Sequence, residues 1–442
     1  MSSALPLPDR DDPTAAELVA ARPHLSLHAM DGLVMDDVPL NAVADAVGTP
    51  TWAISAGAIR GRLAALRDAL ADPPVHVHYA VKANDHLAVL RLMRAGGAGA
   101  DVVSGGELLR ARQAGIPAAE IVFSGVGKTA AELRLALAEG VGQINVESAE
   151  ELEMLSALAT GMGRTARVAL RINPDVDAGT HAKITTGRAE NKFGIAYDDA
   201  PALYARAAGS PGIQTVGLAL HIGSQILSLA PFRAAYARTA EMVRHLRAQN
   251  LPVEAVDCGG GLGIAYRGEP TPTPAAFAGA IRAAFAGLDL RLAVEPGRWL
   301  VGPAGVLLAA VVLTKHTGAR RFVVLDAAMN DLIRPTLYDA WHGVVPLSPV
   351  DAVRPTRPAD VVGPVCETGD TFARSRALPA LAPDARVAIL DAGAYSAVMS
   401  STYNARPLAA EVLVDGARWS VIRPRQPVEA LWANESVPAW LA

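Results

Sequence analysis

From residue 75 to residue 298 the chain alternates short apolar, β-branched runs with longer stretches of helical period, and few folds accept that rhythm. The runs are "VHVHYAVKA" (75–83), "GADVVS" (99–104), "IVFSGV" (121–126), "QINVES" (143–148), "RVALRINP" (167–174), "TVGLALHIG" (215–223), "AVDCGGG" (255–261) and "RLAVEPGR" (291–298). Between most of them lie apolar-periodic segments such as "HLAVLRLMRAGG", "GELLRARQAG", "TAAELRLALAEG" and "FRAAYARTAEMVRHLRAQN". Parallel strands need a long crossover, and a helix is the usual one. Eight such βα units within roughly 230 residues predict a (β/α)8 TIM barrel. An open doubly wound sheet has the same alternation, so closure stays undecided at this level.

Elsewhere the rhythm stops. After about residue 300 the chain offers short strands with turns, among them "RFVVLDAA", "RVAILDAGAY", "AAEVLVDG" and "RWSVIRP". The first fifty residues hold a strand-like "DGLVMDDVPL" and a short helix "NAVADAVG", and "TPTWAIS" follows. The reading is a barrel over residues 51–300 and a mostly β second domain over 301–442, to which the N-terminal segment 1–50 contributes.

Composition narrows the function classes. Hydrophobic residues make up 51% and charged residues 19% of the 442, which suits a globular chain with a substantial core. A formal net charge of −4 without a basic run argues against nucleic acid and against anionic membrane as partners. Two cysteines, Cys258 and Cys366, make no disulfide framework and point to a reducing cytoplasm. The longest apolar run, "GVLLAAVVLT" (305–314), is about half a membrane span. The first residues lack the apolar stretch of a signal peptide. A soluble protein is expected.

Only five of the 40 Lys+Arg residues are lysines: Lys82, Lys128, Lys183, Lys192 and Lys315. Lys82 ends the first predicted strand. It is either a solvated edge residue or a primary amine kept for imine chemistry that a guanidinium cannot perform. Alternation puts His76, His78, Ala80 and Lys82 on one strand face, which would aim Lys82 into the barrel mouth. In βα barrels the reactive residues sit at the C-terminal strand ends, with phosphate beside strands seven and eight. There this sequence places Asp101, His221, Ser224, the run "CGGGLG" (258–263) and Glu295-Pro296-Gly297-Arg298. Glycine backbone can close around a phosphate because no Cβ blocks the approach. A lysine, a phosphate cradle and a carboxylate together suggest pyridoxal 5'-phosphate, with Glu295 keeping the pyridine nitrogen protonated. A structural ion pair with Arg298 is the bland account of Glu295, and a satisfied core histidine that of His221. "FSGVGKTAAEL" (123–133) imitates the end of a P-loop, but Val122 stands where its first glycine belongs.

These motifs resemble the alanine racemase-like fold of pyridoxal-phosphate enzymes and, within it, the diaminopimelate decarboxylase family. The resemblance runs over nearly the whole chain. It covers "HAMDGLVMDDVPLNAVADAVGTPTW", "YAVKAN", "DVVSGGEL", "FSGVGKT", "ENKFGI", "HIGSQI", "CGGGLG", "EPGR", "LDAAMNDLIRPTLY", "GPVCETGD" and "DAGAYSAVMSSTYNARPLAAEVLV". It implies a decarboxylase of a diamino dicarboxylic acid in which Lys82 carries the cofactor and His221 stacks on its ring. Asp101, Ser224, Gly259, Gly260, Gly261, Gly263, Glu295, Gly297 and Arg298 would complete the cofactor site. Arg298, Arg334 and Tyr338 would bind substrate carboxylates, and Tyr395 would touch cofactor and substrate. The resemblance also implies a homodimer in which Cys366 and Glu367 reach the partner subunit's site, Cys366 as proton donor to Cα and Glu367 on the distal amino group. Cys258, inside strand seven, is left to the core.

Departures from the family pattern are Trp52 where tyrosine is common, "LSLAPFR" after "HIGSQI", and Arg188 where lysine is frequent. Other readings share the cofactor residues: a decarboxylase of ornithine, lysine, arginine or carboxynorspermidine, discriminated by "ENKFGI", Arg334 and "CETGD". A racemase of the same fold usually sets an arginine against the pyridine nitrogen, and Glu295 argues against that. A non-catalytic homologue would be marked by loss of the lysine or of the second domain, and both are present.

Overall fold

The alternation closes on itself. In the computed structural model, which describes residues 12–177 and 192–441, eight parallel strands form a barrel. They are β1 (Val75–Ala80), β2 (Gly99–Val102), β3 (Ile121–Phe123), β4 (Gln143–Val146), β5 (Ala166–Asn173), β6 (Ile213–Leu220), β7 (Ala255–Asp257) and β8 (Arg291–Val294). Each pairs with the next, and β8 pairs with β1, so no edge remains and the open-sheet alternative is excluded. Arg188, Lys183 and the first two residues of "ENKFGI" lie outside the described residues, as do residues 1–11, on which the signal-peptide reading fell.

The helices start where short polar side chains satisfy the free N–H groups of the first turn. Ser104 caps Gly105–Gln113, and Ser148 caps Ala149–Gly161. Thr129 and Glu132 form a reciprocal capping box at the start of Ala130–Glu139. The P-loop look-alike is explained by this last cap and by Lys128. The Lys128 amine is buried and donates to Gly125 O (2.7 Å), Asn145 O (2.8 Å) and Glu151 Oε1 (2.5 Å). It holds a turn together and has no donor capacity left for a nucleotide.

The barrel unit comprises residues 60–265 and 269–300. A second unit collects 12–59, 266–268 and 301–441. Its main sheet runs in the order Thr371–Leu378, Arg357–Val362, Arg320–Leu325, Gly305–Thr317, Thr51–Ser55, Ala410–Asp415, Arg418–Arg423. Arg386–Ile389 pairs with both Gly305–Thr317 and Val344–Pro346. Thr51–Ser55 is hydrogen-bonded on both sides inside this sheet, so the chain enters the barrel unit at residue 60 rather than 51. Its burial explains the choice: all five residues are buried, with Trp52 and Ala53 on opposite faces of the sheet in two separate apolar clusters. Among the described residues no helix is long and apolar enough to cross a membrane.

Candidate active site

The first strand is shorter than its sequence suggests. β1 stops at Ala80, and Val81–Ala83 form one 3-10 turn, so strand alternation does not reach Lys82. The Tyr79 hydroxyl donates to Asn84 O at 2.9 Å and Asn84 N–H to Val81 O at 3.0 Å, which pins that turn. The turn, not strand parity, brings Lys82 Nζ within 2.6 Å of Asp101 Oδ2 at the end of β2. Asp101 is fully buried while the lysine side chain keeps 35% exposure. Parity does hold lower in the strand: His76 and His78 line a cavity of about 360 Å³ at the N-terminal end of the barrel.

Next to this pair lies Glu107, in the first turn of the helix capped by Ser104. Its Oε2 accepts Val103 N–H at 2.8 Å. Burial pushes its carboxyl up to about 7, against the pull of the Val103 hydrogen bond and Lys82. Neither the helical period nor the strand pattern singles this residue out, because it reads as an ordinary N-terminal glutamate.

The turns after β6, β7 and β8 are laced together through backbone. Ile226 N–H donates to Gly261 O and Gly263 N–H to Ile226 O, while Glu295 N–H donates to Gly259 O at 2.8 Å. Gly259 and Gly261 have φ of +68° and +107°. A Cβ on Gly259 would stand 2.1 Å from Leu220 O, and one on Gly261 2.5 Å from Gly223 O. No other residue fits this cradle. Gly260 N–H donates to His221 Nδ1 at 3.1 Å, which leaves the imidazole proton for Nε2. Burial, then the charges of Arg171 and Lys82, hold His221 well below its ordinary value, so the ring is neutral. Arg298 donates to Ser224 Oγ at 3.1 Å. Gly297 precedes the short helix Arg298–Val301 and accepts Leu300 N–H.

Glu295 is 7% exposed. Its Oε1 is approached by Ser124 Oγ at 3.4 Å and Asn145 Nδ2 at 3.5 Å, from the ends of β3 and β4. Burial, then Asp101 and Asp257, raise its carboxyl well above the usual range. Ser124, Asn145 and Asp257 escaped the sequence reading, although each is a polar residue at or near the end of an otherwise apolar run. Glu147 escaped it too. It binds Arg171 at 2.7 Å and accepts the N–H groups of Gly125 and Gly194, which ties the "KFGI" stretch to the barrel. Cys258 is buried, as expected for a core residue, and burial raises its thiol.

The donor set fits pyridoxal phosphate. It offers a primary amine on a buried carboxylate, a glycine cradle that any Cβ would fill, a neutral imidazole, and a buried carboxyl whose donors are distant.

The remaining expected residues belong to the sheet unit. Arg334 opens the helix Arg334–Tyr338, is buried, lies over the Tyr266 ring at 5.2 Å and meets His342 Nε2 at 3.0 Å. Cys366 and Glu367 are exposed on a loop held by Asp370, whose carboxylate accepts Val365 and Met329 N–H groups, both at 2.7 Å. Tyr395 sits in a turn with φ +54°.

Comparison with known proteins decides the family. Residues 56–302 match the family described as "Pyridoxal-dependent decarboxylase, pyridoxal binding domain". A diaminopimelate decarboxylase of Zymomonas mobilis subsp. mobilis is 49% identical over 414 residues, covering 92% of this chain and 98% of the relative. The chain belongs to the diaminopimelate decarboxylase family. A Pseudomonas aeruginosa member is 49% identical over 92% of this chain and 97% of its own length. The crystal structure of the Helicobacter pylori diaminopimelate decarboxylase complexed with L-lysine superposes with a TM-score of 0.87 at 39% identity, covering 90% of this chain and 99% of that one. Membership makes the chain a lyase with pyridoxal phosphate as its cofactor.

Proposed function

We propose that this chain decarboxylates meso-2,6-diaminopimelate to L-lysine and CO₂, the last step of lysine biosynthesis. The observation that carries the reading is 49% identity to a diaminopimelate decarboxylase over 98% of that protein's length. The barrel mouth, with Lys82 on Asp101 and Glu295 beneath Ser124 and Asn145, supports it. Pyridoxal phosphate supplies the electron sink for the carbanion left when CO₂ departs.

Each residue then has a part. Lys82 is the point of covalent attachment, and Asp101 holds its amine in place. Glu295 would set its carboxyl against the ring nitrogen, and neutral His221 would lie against the ring without competing for that charge. Ser224, Gly259, Gly260, Gly261, Gly263, Gly297 and Arg298 hold the phosphate end. Arg298, Arg334 and Tyr338 bind the two carboxylates of the substrate, since guanidinium and carboxylate pair bidentately. Glu367 takes the distal ammonium, Tyr395 orients cofactor and substrate, and Cys366 delivers the proton to Cα. The exposure of Cys366 and Glu367 suits a homodimer in which they enter the partner's site. A cytoplasmic setting agrees with two cysteines that are both free.

The test is direct. Purified protein with pyridoxal phosphate should release one CO₂ per L-lysine formed from meso-diaminopimelate, and act poorly on ornithine. Preference for ornithine or another monocarboxylate diamine precursor would replace this assignment by that of a related decarboxylase.

A further inference from the structure

The short helix that opens with Arg334 ends after little more than one turn. Asp339 takes the left-handed conformation there, with φ +52°, and its N–H closes on Arg334 O. The chain doubles back, so His342, eight residues on, meets the side chain that opened the helix. Both are buried, Arg334 at 4% and His342 at 1% exposure.

The contacts of the imidazole decide its protonation. His342 Nδ1 lies 2.7 Å from Leu390 O, and its Nε2 lies 3.0 Å from Arg334 Nη1. A carbonyl oxygen only accepts, and a guanidinium, always protonated in proteins, only donates. One state satisfies both neighbours: a neutral ring with its proton on Nδ1 and the Nε2 lone pair facing Arg334. The other tautomer would oppose two acceptors at Leu390 and two donors at Arg334. An imidazolium would set one cation against another.

The surroundings hold this ring in place. Arg376 Nη1 donates to His342 O at 2.6 Å, and Arg376 is itself held by Asp12 at 3.0 Å and by the Trp341 ring at 4.1 Å. Leu390 N–H donates to Gly343 O at 2.9 Å, which continues the pairing of Val344–Pro346 with Arg386–Ile389. The Tyr266 ring stands at 76° to the imidazole, centroids 5.4 Å apart, and the Arg334 guanidinium lies over it at 5.2 Å. A guanidinium has five N–H donors, so one bond to His342 fixes its plane without exhausting it. Fixing that plane beforehand spares the rotamer entropy a long side chain otherwise loses when it binds an anion.

We propose that His342 is a positioning residue: its neutral Nε2 locks the Arg334 guanidinium in the orientation that receives a substrate carboxylate. The inference rests on the reading of Arg334 as a carboxylate-binding residue.

The test separates the two ring nitrogens in the holoenzyme. His342→Asn puts an amide where Nδ1 stands and falls short of Arg334, whereas His342→Gln carries an acceptor to the place of Nε2. Initial rates of CO₂ release from meso-diaminopimelate are measured for both, with KM read apart from kcat. KM should rise about 10-fold or more in the Asn variant and stay within about threefold of wild type in the Gln variant. Equal KM values in the two variants overturn the proposal whatever their melting temperatures, because a purely structural role does not follow the position of the acceptor. Arg334→Lys is assayed beside them. A normal KM in that variant refutes the reading of Arg334 itself, which separates the two failures. Where a His342 variant does not fold, nitrogen-15 spectra of histidine-labelled wild type and Arg334→Lys decide. The imidazole that responds to Arg334→Lys should carry its proton on Nδ1 in wild type at neutral pH. A protonated Nε2 on that ring, or no responding imidazole, overturns the proposal.

Discussion

Replacing Gly260 by alanine tests whether the glycine cradle is a backbone device or a mere loop. Gly260 has no positive φ, so alanine brings no conformational strain and the perturbation is purely steric. The new methyl would lie 2.2 Å from Glu295 O, 3.0 Å from Glu295 C and 3.6 Å from His221 Cε1. A real Cβ does not tolerate less than 3.0 Å, so the β7 and β8 turns must part by roughly 0.8 Å. The obstacle is backbone and cannot rotate away. Overpacking of this kind costs about 1–3 kcal/mol. At roughly 2–4 °C per kcal/mol for a unit of this size, the cofactor-free protein should melt about 2–12 °C lower. The same displacement carries Glu295 and the His221 acceptor bond with it, and a misplacement approaching 1 Å costs on the order of 100-fold in rate. Thermal melting, cofactor titration by absorbance and initial rates of CO₂ release read the three effects separately. Gly279→Ala is the control. It lies in the helix Pro274–Phe285 with nothing within 4 Å of its added methyl, and should gain about 0.5–1 kcal/mol. If Gly260→Ala melts, binds cofactor and turns over like wild type, the close approach of the two turns does not matter and the argument fails.

Borohydride reduction should fix the cofactor to Lys82, and Lys82→Arg, which keeps a cation beside Asp101 but no primary amine, should lose covalent attachment and on the order of 1000-fold or more in turnover. Peptide mapping that finds the adduct on another lysine would sink the assignment. Lys128→Met strips a buried amine from Glu151 and should cost about 3–5 kcal/mol, read from denaturant midpoints, with cofactor affinity in the surviving folded protein unchanged. Glu107 has a folded-state value raised to about 7 from an ordinary 4.5, so the native state holds the extra proton between those values. Its contribution to stability is therefore complete below pH 4.5 and fades as pH rises toward 7, by on the order of 3 kcal/mol at most. Glu107→Gln should flatten that part of the stability profile, and an unchanged slope would contradict the burial argument. Cys366→Ala should leave cofactor binding intact and lower turnover about 100-fold or more, as loss of a proton donor does; normal turnover would remove it from that role.

Much of this molecule was readable from residue order because its signals are local. A strand-helix alternation needs only neighbouring residues to declare itself, so eight βα units and the start of a separate β unit were visible without coordinates. Glycines in "CGGGLG" and the acid of "EPGR" announce themselves by being out of place at strand ends. Lys82 follows β1 on a 3-10 turn pinned by Tyr79 and Asn84, so its direction comes from that turn and not from strand parity.

Sequence by itself determined the class of fold and the kinds of group at the strand ends, because period and backbone freedom are properties of short stretches. Closure of the barrel, the capture of Thr51–Ser55 by a sheet built mostly from residues beyond 300, and the pairing of Lys82 with the buried Asp101 were decided only by tertiary structure. Each depends on distances between residues far apart in the chain. The ionisation of a buried carboxyl follows from which charges and donors end up around it, and no stretch of sequence carries that information alone.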